Sequence, residues 1–109
     1  MISRIWHGRT TPENADTYEA LLKEEIFVGI EERRIGGFRG SQLLRRDVGD
    51  EVEFVTIMRF ESLDAVIEFA GDDHEVAVVP SAARAVLSRS DERSQHYEIR
   101  AERRGDPSH

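Results

Sequence analysis

Runs of apolar residues divide the chain into four strand-like segments. Their length and their content of Val, Ile, Phe and Tyr are typical of strands, and they cover residues 2–6, 38–46, 51–60 and 95–101. The second and third runs are joined by residues 47–50, whose Asp and Gly residues suit a hairpin turn. We therefore expect these two strands to pair antiparallel.

A helix is predicted between the first two strands. Apolar residues recur at every fourth position and form one stripe along it, namely Tyr18, Leu22, Ile26 and Ile30. Two starts fit the sequence: Thr11 as the cap with Pro12 at the first helical position, or Thr10 in a capping box with Glu13. The Gly-Gly pair at 36–37 is expected to end the helix.

A second helical stretch follows the third strand. Ser62 can cap it, and its apolar positions are Leu63, Val66, Ile67 and Phe69. The pattern breaks at Gly71 and predicts a restart of the helix at Asp72 or Asp73. Pro80 is expected to begin a further helical turn.

The order of the elements, β-α-β-β-α-β, predicts the fold class. It is the order of ferredoxin-like α+β domains, which have a four-stranded antiparallel sheet in the spatial order 4-1-3-2. We expect one such domain over residues 1–101, followed by a flexible polar tail over residues 102–109.

Two helices can cover only one face of such a sheet. On the third strand, Val55 and Ile57 point away from Phe54, Thr56 and Met58, so the second face is apolar as well. The sequence therefore predicts a homodimer through the sheet faces, with Trp6 and Ile57 in its core. The alternative is a moderately apolar face that stays in contact with water.

Composition and charge narrow the classes of function. The 109 residues carry 15 Lys and Arg against 22 Asp and Glu, a net charge of −7, whereas a nucleic-acid binder needs a basic face. The longest aliphatic run, residues 76–79, is far too short to span a membrane, and no apolar signal segment follows Met1. The absence of cysteine excludes disulfides and thiolate catalysis. We expect a cytoplasmic protein that binds neither nucleic acid nor membrane.

Three segments resemble one known family. They are residues 5–10 (Ile-Trp-His-Gly-Arg-Thr), residues 37–40 (Gly-Phe-Arg-Gly), and residues 54–65, in which a strand ending in Phe is followed by Glu-Ser-Leu-Asp-Ala. Over residues 1 to about 101 the chain is similar to the antibiotic biosynthesis monooxygenases, a family of dimeric α+β barrels. Members include cofactor-independent oxygenases acting on aromatic polyketides, haem-degrading enzymes, and proteins with no known activity.

The haem-degrading branch of this family is marked by three residues. They are an Asn on the first strand, a Trp in the second helix and a His about ten residues further on. The matching positions here hold His7, Phe69 and Val79. We therefore do not expect haem degradation by that triad.

The resemblance implies a substrate cleft between sheet and helices, and His7 is the candidate catalytic residue for it. If odd positions of the first strand face the helices, His7 lines this cleft and Trp6 faces the dimer core. Its imidazole could take a proton from a phenol. The alternative is a buried histidine whose ring is satisfied by a backbone carbonyl or by Tyr18.

Four further residues are candidates for ligand contact. Phe27 and Phe69 come from different helices and could hold a planar ligand between them, although spaced Phe residues are usually core. Arg59 could pair with an anionic or phenolate substrate, or form a salt bridge to Glu61 or to the partner subunit. His96 is a better ligand contact than Tyr97, which points the other way. His74, in a run of polar residues, is expected to be solvated.

No metal site or cofactor is expected. The histidines show no H-x-H or H-x-x-x-H pairing, and the chain has no nucleotide-binding fingerprint. The function that the resemblance favours is a cofactor-independent monooxygenase acting on a small aromatic or polyketide-like molecule. The alternative is a dimeric α+β barrel that binds a small molecule without catalysis.

Overall fold

One antiparallel sheet organises the fold. A computed structural model describes residues 1–105, so residues 106–109 of the predicted tail lie outside the described residues. The strands are β1 (Ile2–Thr10), β2 (Phe38–Asp47), β3 (Val52–Phe60), β4 (Arg89–Ser90) and β5 (Gln95–Glu98). β3 and β1 lie side by side, β2 flanks β3, and both β4 and β5 pair with the free edge of β1. The predicted α+β fold and strand order are confirmed, with the fourth strand divided into two short pieces.

The first helix runs without a break from Pro12 to Glu32. It consists of α1 (Pro12–Leu21), a π-helical turn (Leu22–Ile26) and α2 (Phe27–Glu32). Thr11 is its cap residue and Pro12 its first helical residue, which decides between the two predicted starts. The π-helical turn takes in one extra residue, and such turns are frequent at functional sites.

The second helical region is shorter than predicted. Helix α3 (Leu63–Ala70) is capped by the Ser62 hydroxyl, which accepts a hydrogen bond from the Ala65 backbone N–H at 3.3 Å. It ends at Gly71, whose φ of 93° few other residues adopt without strain. The predicted restart at Asp72 or Asp73 is wrong, because residues 72–75 form bends and a turn, after which Val76 pairs with Arg93 in an isolated antiparallel bridge. Pro80 precedes α4 (Ser81–Arg84), as expected.

The helices cover the face of the sheet that carries the even-numbered residues of β1 and β3. β1 pairs with β3 in a register that places Trp6 opposite Thr56, so Trp6 lies on the same face as Phe54 and Phe60. The predicted placement of Trp6 in a dimer core is therefore wrong. Trp6 packs with Tyr18 and its neighbours in the first helix instead.

The other face, called here the open face, has no covering element among residues 1–105. It carries Ile5 and His7 of β1, Val55 and Ile57 of β3, and Leu44 and Tyr97 of the flanking strands. Leu44 is 46% exposed and Tyr97 is 56% exposed, so apolar surface reaches water here. The predicted position of Ile57 on this face is confirmed.

Candidate functional site

A cleft lies between the covered face of the sheet and the first helix. Its apolar walls come from Trp6, Leu22, Ile26, Phe27, Ile30, Met58, Phe69, Val78, Val79, Pro80 and Ala83. Polar atoms are contributed by Arg4, Tyr18, Thr56 and Ser94. The volume within which the centre of a water molecule fits is about 60 Å³. The total empty volume between the walls, including the part open to solvent, is about 500 Å³.

The cleft widens towards solvent into an apolar mouth. Ile26, Ile30, Phe69, Val78 and Pro80 belong to both parts. Because the inner part has room for only a few water molecules, a polycyclic ligand has to extend into the mouth.

Trp6 and Tyr18 form the aromatic side of the inner cleft. The Trp6 indole N–H donates to the Asp91 carbonyl at 2.8 Å, and its ring lies over Gly8, where a Cβ would stand 2.8 Å from the ring. Tyr18 is only 1% exposed and meets the Phe54 ring edge-on at a centroid distance of 4.9 Å. Burial raises the pKa of Tyr18 well above its usual value, so its hydroxyl stays protonated.

Arg4 contributes a buried positive charge to the inner cleft. The residue is 4% exposed, and its guanidinium donates to the carbonyl oxygens of His74 and Val76 and to the His96 Nε2 at 2.9 Å. Its Cζ lies 5.4 Å from the centre of the Phe69 ring. Burial lowers the pKa of Arg4 to about 10, which leaves it protonated at neutral pH.

His96 and His74 lie next to each other behind Arg4. Their rings are 5.3 Å apart and meet edge-on. Since the His96 Nε2 accepts a hydrogen bond from Arg4, its proton is assigned to Nδ1. Burial, the charge of Arg4 and the nearby His74 lower the pKa of His96, while Glu75 acts in the opposite direction. His74 is half-buried, so the expectation of a solvated residue is wrong.

The lowered pKa of His96 predicts a loss of stability on mild acidification. At pH values between the lowered pKa of folded His96 and the value of 6.5 in the unfolded chain, His96 is protonated in the unfolded chain but not in the folded one. The free energy of unfolding therefore falls as the pH drops through this window. Chemical denaturation at about pH 7.5 and about pH 5.5 measures it. We expect a smaller fall in His96→Gln, whose amide oxygen can still accept from Arg4. An equal fall in both proteins would contradict this role for His96.

The structure brings some of the predicted site residues to the cleft. Phe27 and Phe69 lie in its walls. His96 does not line the cleft, but it accepts a hydrogen bond from Arg4, which does. That these residues contact a ligand stays a prediction. Arg59 lies on the open face, where its Nη1 is 3.4 Å from Glu102 Oε1, so it is neither in the cleft nor paired with Glu61.

His7 does not lie in the cleft, which corrects the predicted facing of β1. It is on the open face, where its ring Nδ1 lies 2.9 Å from Asp91 Oδ2, and its backbone N–H donates to the same oxygen at 3.1 Å. Within residues 1–105, the hydrogen-bond partner of the ring is this carboxylate and neither a backbone carbonyl nor Tyr18. The physical reason is register: the pairing of β1 with β3 aligns even with even residues, so Trp6 and not His7 points to the helices.

Sequence reasoning did not select Arg4, Trp6 or Tyr18 as site residues. A signal for Arg4 was available, because a charged residue within an interior strand, two positions from Trp6, shares the face of that Trp. Tyr18 lay in the predicted apolar stripe of the first helix, where a phenol resembles any other core residue.

The described part of the chain contains neither a cluster of metal-ligating side chains nor a helix that could span a membrane. Within residues 1–105, no three His, Asp or Glu side chains converge on a position that could hold a metal ion. No helix of these residues is long and apolar enough to cross a membrane.

In comparisons with known proteins, the sequence matches no protein-family description and no curated protein. Solved structures do match. A Bacillus cereus protein named provisionally as an antibiotic biosynthesis monooxygenase superposes with a TM-score of 0.69 at 16% identity, covering 95% of this chain and 97% of that one. SnoaB, a cofactor-independent oxygenase from Streptomyces nogalater, superposes with a TM-score of 0.60 at 21% identity, covering 93% and 95%.

The chain has the antibiotic biosynthesis monooxygenase fold. This confirms the fold of the single chain that the sequence resemblance implied, while the dimer that it also implied stays a prediction. A third structure with this fold is the heme-degrader MhuD from Mycobacterium tuberculosis, with two hemes bound in its active site; its TM-score is 0.63 at 20% identity, covering 94% of this chain and 98% of that one. At such identities the likeness establishes the fold and not the reaction.

Proposed function

We propose that this protein oxygenates a small electron-rich aromatic molecule in the cleft without an organic cofactor or metal. The observation that carries the proposal is the cleft itself, a mainly apolar space between sheet and first helix that is walled by Trp6, Phe27 and Phe69 and opens to solvent on one side. Aromatic walls suit a planar ligand, and a site that excludes water protects reactive intermediates. The cofactor-independent oxygenase SnoaB has the same fold, which supports the proposal.

The proposed reaction needs only the substrate and dioxygen. A substrate such as an anthrone loses a proton, and the resulting anion transfers one electron to dioxygen. The two radicals combine to form a carbon–oxygen bond. The peroxide anion so formed takes up a proton from solvent, in place of the one lost, and the hydroperoxide then loses water to give the quinone, so that one oxygen atom stays on the product and the other leaves as water. His7 has no part in this scheme, since it lies on the opposite face from the cleft.

Haem is a poorer fit to this cleft. No histidine is among the described residues that line the cleft or its mouth, so no imidazole is placed there to ligate iron. The positions matched to the haem-degrading triad hold Phe69 and Val79, which are wall residues without metal-binding atoms, and His7 on the open face.

Oxygen uptake tests the proposed reaction. The protein, treated with a chelator and free of flavin absorbance, is mixed with anthrone and 1-naphthol derivatives in an oxygen electrode, with boiled protein as the control for autoxidation. We expect uptake of one dioxygen per quinone formed. Ligand binding is followed in parallel by the fluorescence of Trp6, the one Trp in the chain, which lies in the cleft wall. Binding without oxygen uptake would instead favour a non-catalytic binding protein.

We also propose that the protein is a homodimer through the open face. Apolar residues of β1, β2, β3 and β5 share this face, and no helix among residues 1–105 covers it. A second copy of the same face offers a matching apolar surface under two-fold symmetry, as the resemblance to dimeric α+β barrels implies.

A further inference from the structure

We propose that Arg4 is an anion-binding group and that the cleft takes an aromatic molecule carrying an oxyanion, either a carboxylate or a phenolate. This inference rests on the proposed function above and narrows its substrate class. It is independent of whether the bound molecule is then oxygenated.

The first support is a buried charge without a counter-charge. Arg4 is 4% exposed, and among residues 1–105 no carboxylate forms an ion pair with it. The other deeply buried charge of the sheet, Glu53, is 9% exposed and is matched by Arg46 at 2.7 Å and by Arg9 at 3.1 Å. Buried charges are costly unless they are paired, so an unpaired one is expected where a ligand supplies the opposite charge.

The second support is the set of hydrogen bonds that Arg4 makes. Its recorded acceptors, two carbonyl oxygens and the His96 Nε2, are neutral and engage only Nη1 and Nη2. Among residues 1–105 no group accepts a hydrogen bond from Nε–H or from the second N–H of Nη2. The guanidinium thus keeps donors for a ligand on the wall of the inner cleft, and its planar fork suits a carboxylate or phenolate oxygen.

The third support is the position of Arg4 beside aromatic walls. Arg4 lines the inner cleft and not its mouth, and its Cζ is 5.4 Å from the Phe69 ring. A planar molecule that lies between Trp6 and Phe69 would therefore bring an inward-pointing oxygen to the guanidinium. The fully protonated state of Arg4 at neutral pH agrees with this role.

Two pairs of probes test the inference on the wild-type protein. 1-Naphthoate and 1-naphthamide have nearly the same shape and differ in charge, and binding of each is measured by quenching of Trp6 fluorescence. We expect the carboxylate to bind at least about tenfold more tightly, or 4-nitrophenol to ionise at lower pH when bound, as followed by its absorbance. The first result identifies a carboxylate ligand and the second a phenolate. Equal affinities together with an unchanged ionisation would overturn the inference.

Variants assign the effect to Arg4. In Arg4→Gln we expect the ratio of the two affinities to fall to about one, whereas loosening of the segment that Arg4 also binds would weaken both probes alike. Arg33→Gln is the matched control, because Arg33 rests against the same Phe69 ring at 5.2 Å but lines the mouth. It should keep the preference. Equal weakening of both probes in Arg4→Gln would show a structural role, and loss of the preference only in Arg33→Gln would assign it to the mouth. Both results contradict the inference.

Arg4→Lys covers the case in which Arg4→Gln does not fold. Lysine keeps the charge but not the fork, so we expect a reduced preference for the anion, intermediate between wild type and no preference. A preference as strong as in wild type would show that the fork is not used. Folding of each variant is checked by circular dichroism before binding is measured.

Failure of this inference is distinguishable from failure of the proposed function. An Arg4-dependent preference without oxygen uptake would sustain the anion site and remove the oxygenase. Equal oxygen uptake with neutral and anionic substrates would support the oxygenase and contradict the anion site. If neither naphthalene probe binds and 4-nitrophenol ionises as it does in free solution, the inference is wrong.

Discussion

Replacing Thr56 by Phe is expected to abolish ligand binding in the cleft. Thr56 lies in the middle of β3 opposite Trp6, and its side chain is in the cleft wall. A strand fixes the direction of each Cβ, so a phenyl ring at this position projects into a space that holds only a few water molecules. We expect ligand affinity, measured by Trp6 fluorescence, to fall at least about a hundredfold and oxygen uptake to disappear.

Val28→Phe is the matched control for the cleft. Val28 is exposed on α2, lines neither the cleft nor its mouth, and lies away from the open face. The same ring added there leaves the cleft empty, and binding is expected to stay within about threefold of wild type. If Thr56→Phe folds and still binds its ligand normally, the ligand lies elsewhere and the cleft is not the site.

Introducing a charge at Ile57 is expected to separate the two subunits of the proposed dimer. Ile57 lies near the centre of the open face, between Ile5 of β1 and Gln42 of β2. In a two-fold dimer, Ile57→Glu brings two like charges into a desolvated interface, which costs several kcal/mol. We expect the dissociation constant to rise at least about a thousandfold, measured by sedimentation equilibrium.

The control for this prediction is Val28→Glu. Val28 is 40% exposed on α2, away from the open face, so the same change of charge should leave the protein dimeric. A wild-type protein that sediments with the mass of one chain at micromolar concentration would rule out the dimer. A dimeric Ile57→Glu variant would place the interface on another surface.

The elements and their order could be predicted from the sequence because each has a local signal. The four-residue spacing from Tyr18 to Ile30 predicted the first helix, Ser62 predicted the start of α3, and the apolar run in β3 predicted a buried strand. The structure contains all three elements. Because the predicted helices are enough to cover only one face of the sheet, the other face is predicted to be left uncovered within one chain.

The facing of β1 could not be predicted, because it depends on register and not on the strand alone. Trp6 and His7 are adjacent, and a shift of one residue against β3 exchanges their faces. The face of β1 is decided by its pairing with β3, whose even positions carry Phe54, Met58 and Phe60 in the core beneath the helices. Pairing even residues with even residues places Trp6 with them.

The segment after α3 was mispredicted for a reason that lies outside the segment. Its polar start resembles the first turn of a helix, but the carbonyl oxygens of His74 and Val76 accept hydrogen bonds from Arg4, about seventy residues earlier in the chain. Ala77 N–H donates to the Glu92 carbonyl at 2.9 Å. These long-range bonds occupy backbone groups that a helix would pair within itself, and no local pattern reveals them.

The central claim is that the working site lies on the helix-covered face of the sheet, with Trp6 and Phe69 in its walls, and not on the face of His7. A crystal structure of the protein with 1-naphthoate tests this most directly. We predict the naphthalene rings in the cleft, in contact with Trp6 and Phe69. A ligand bound instead beside His7 and Asp91 on the open face, with the cleft empty, would contradict the account.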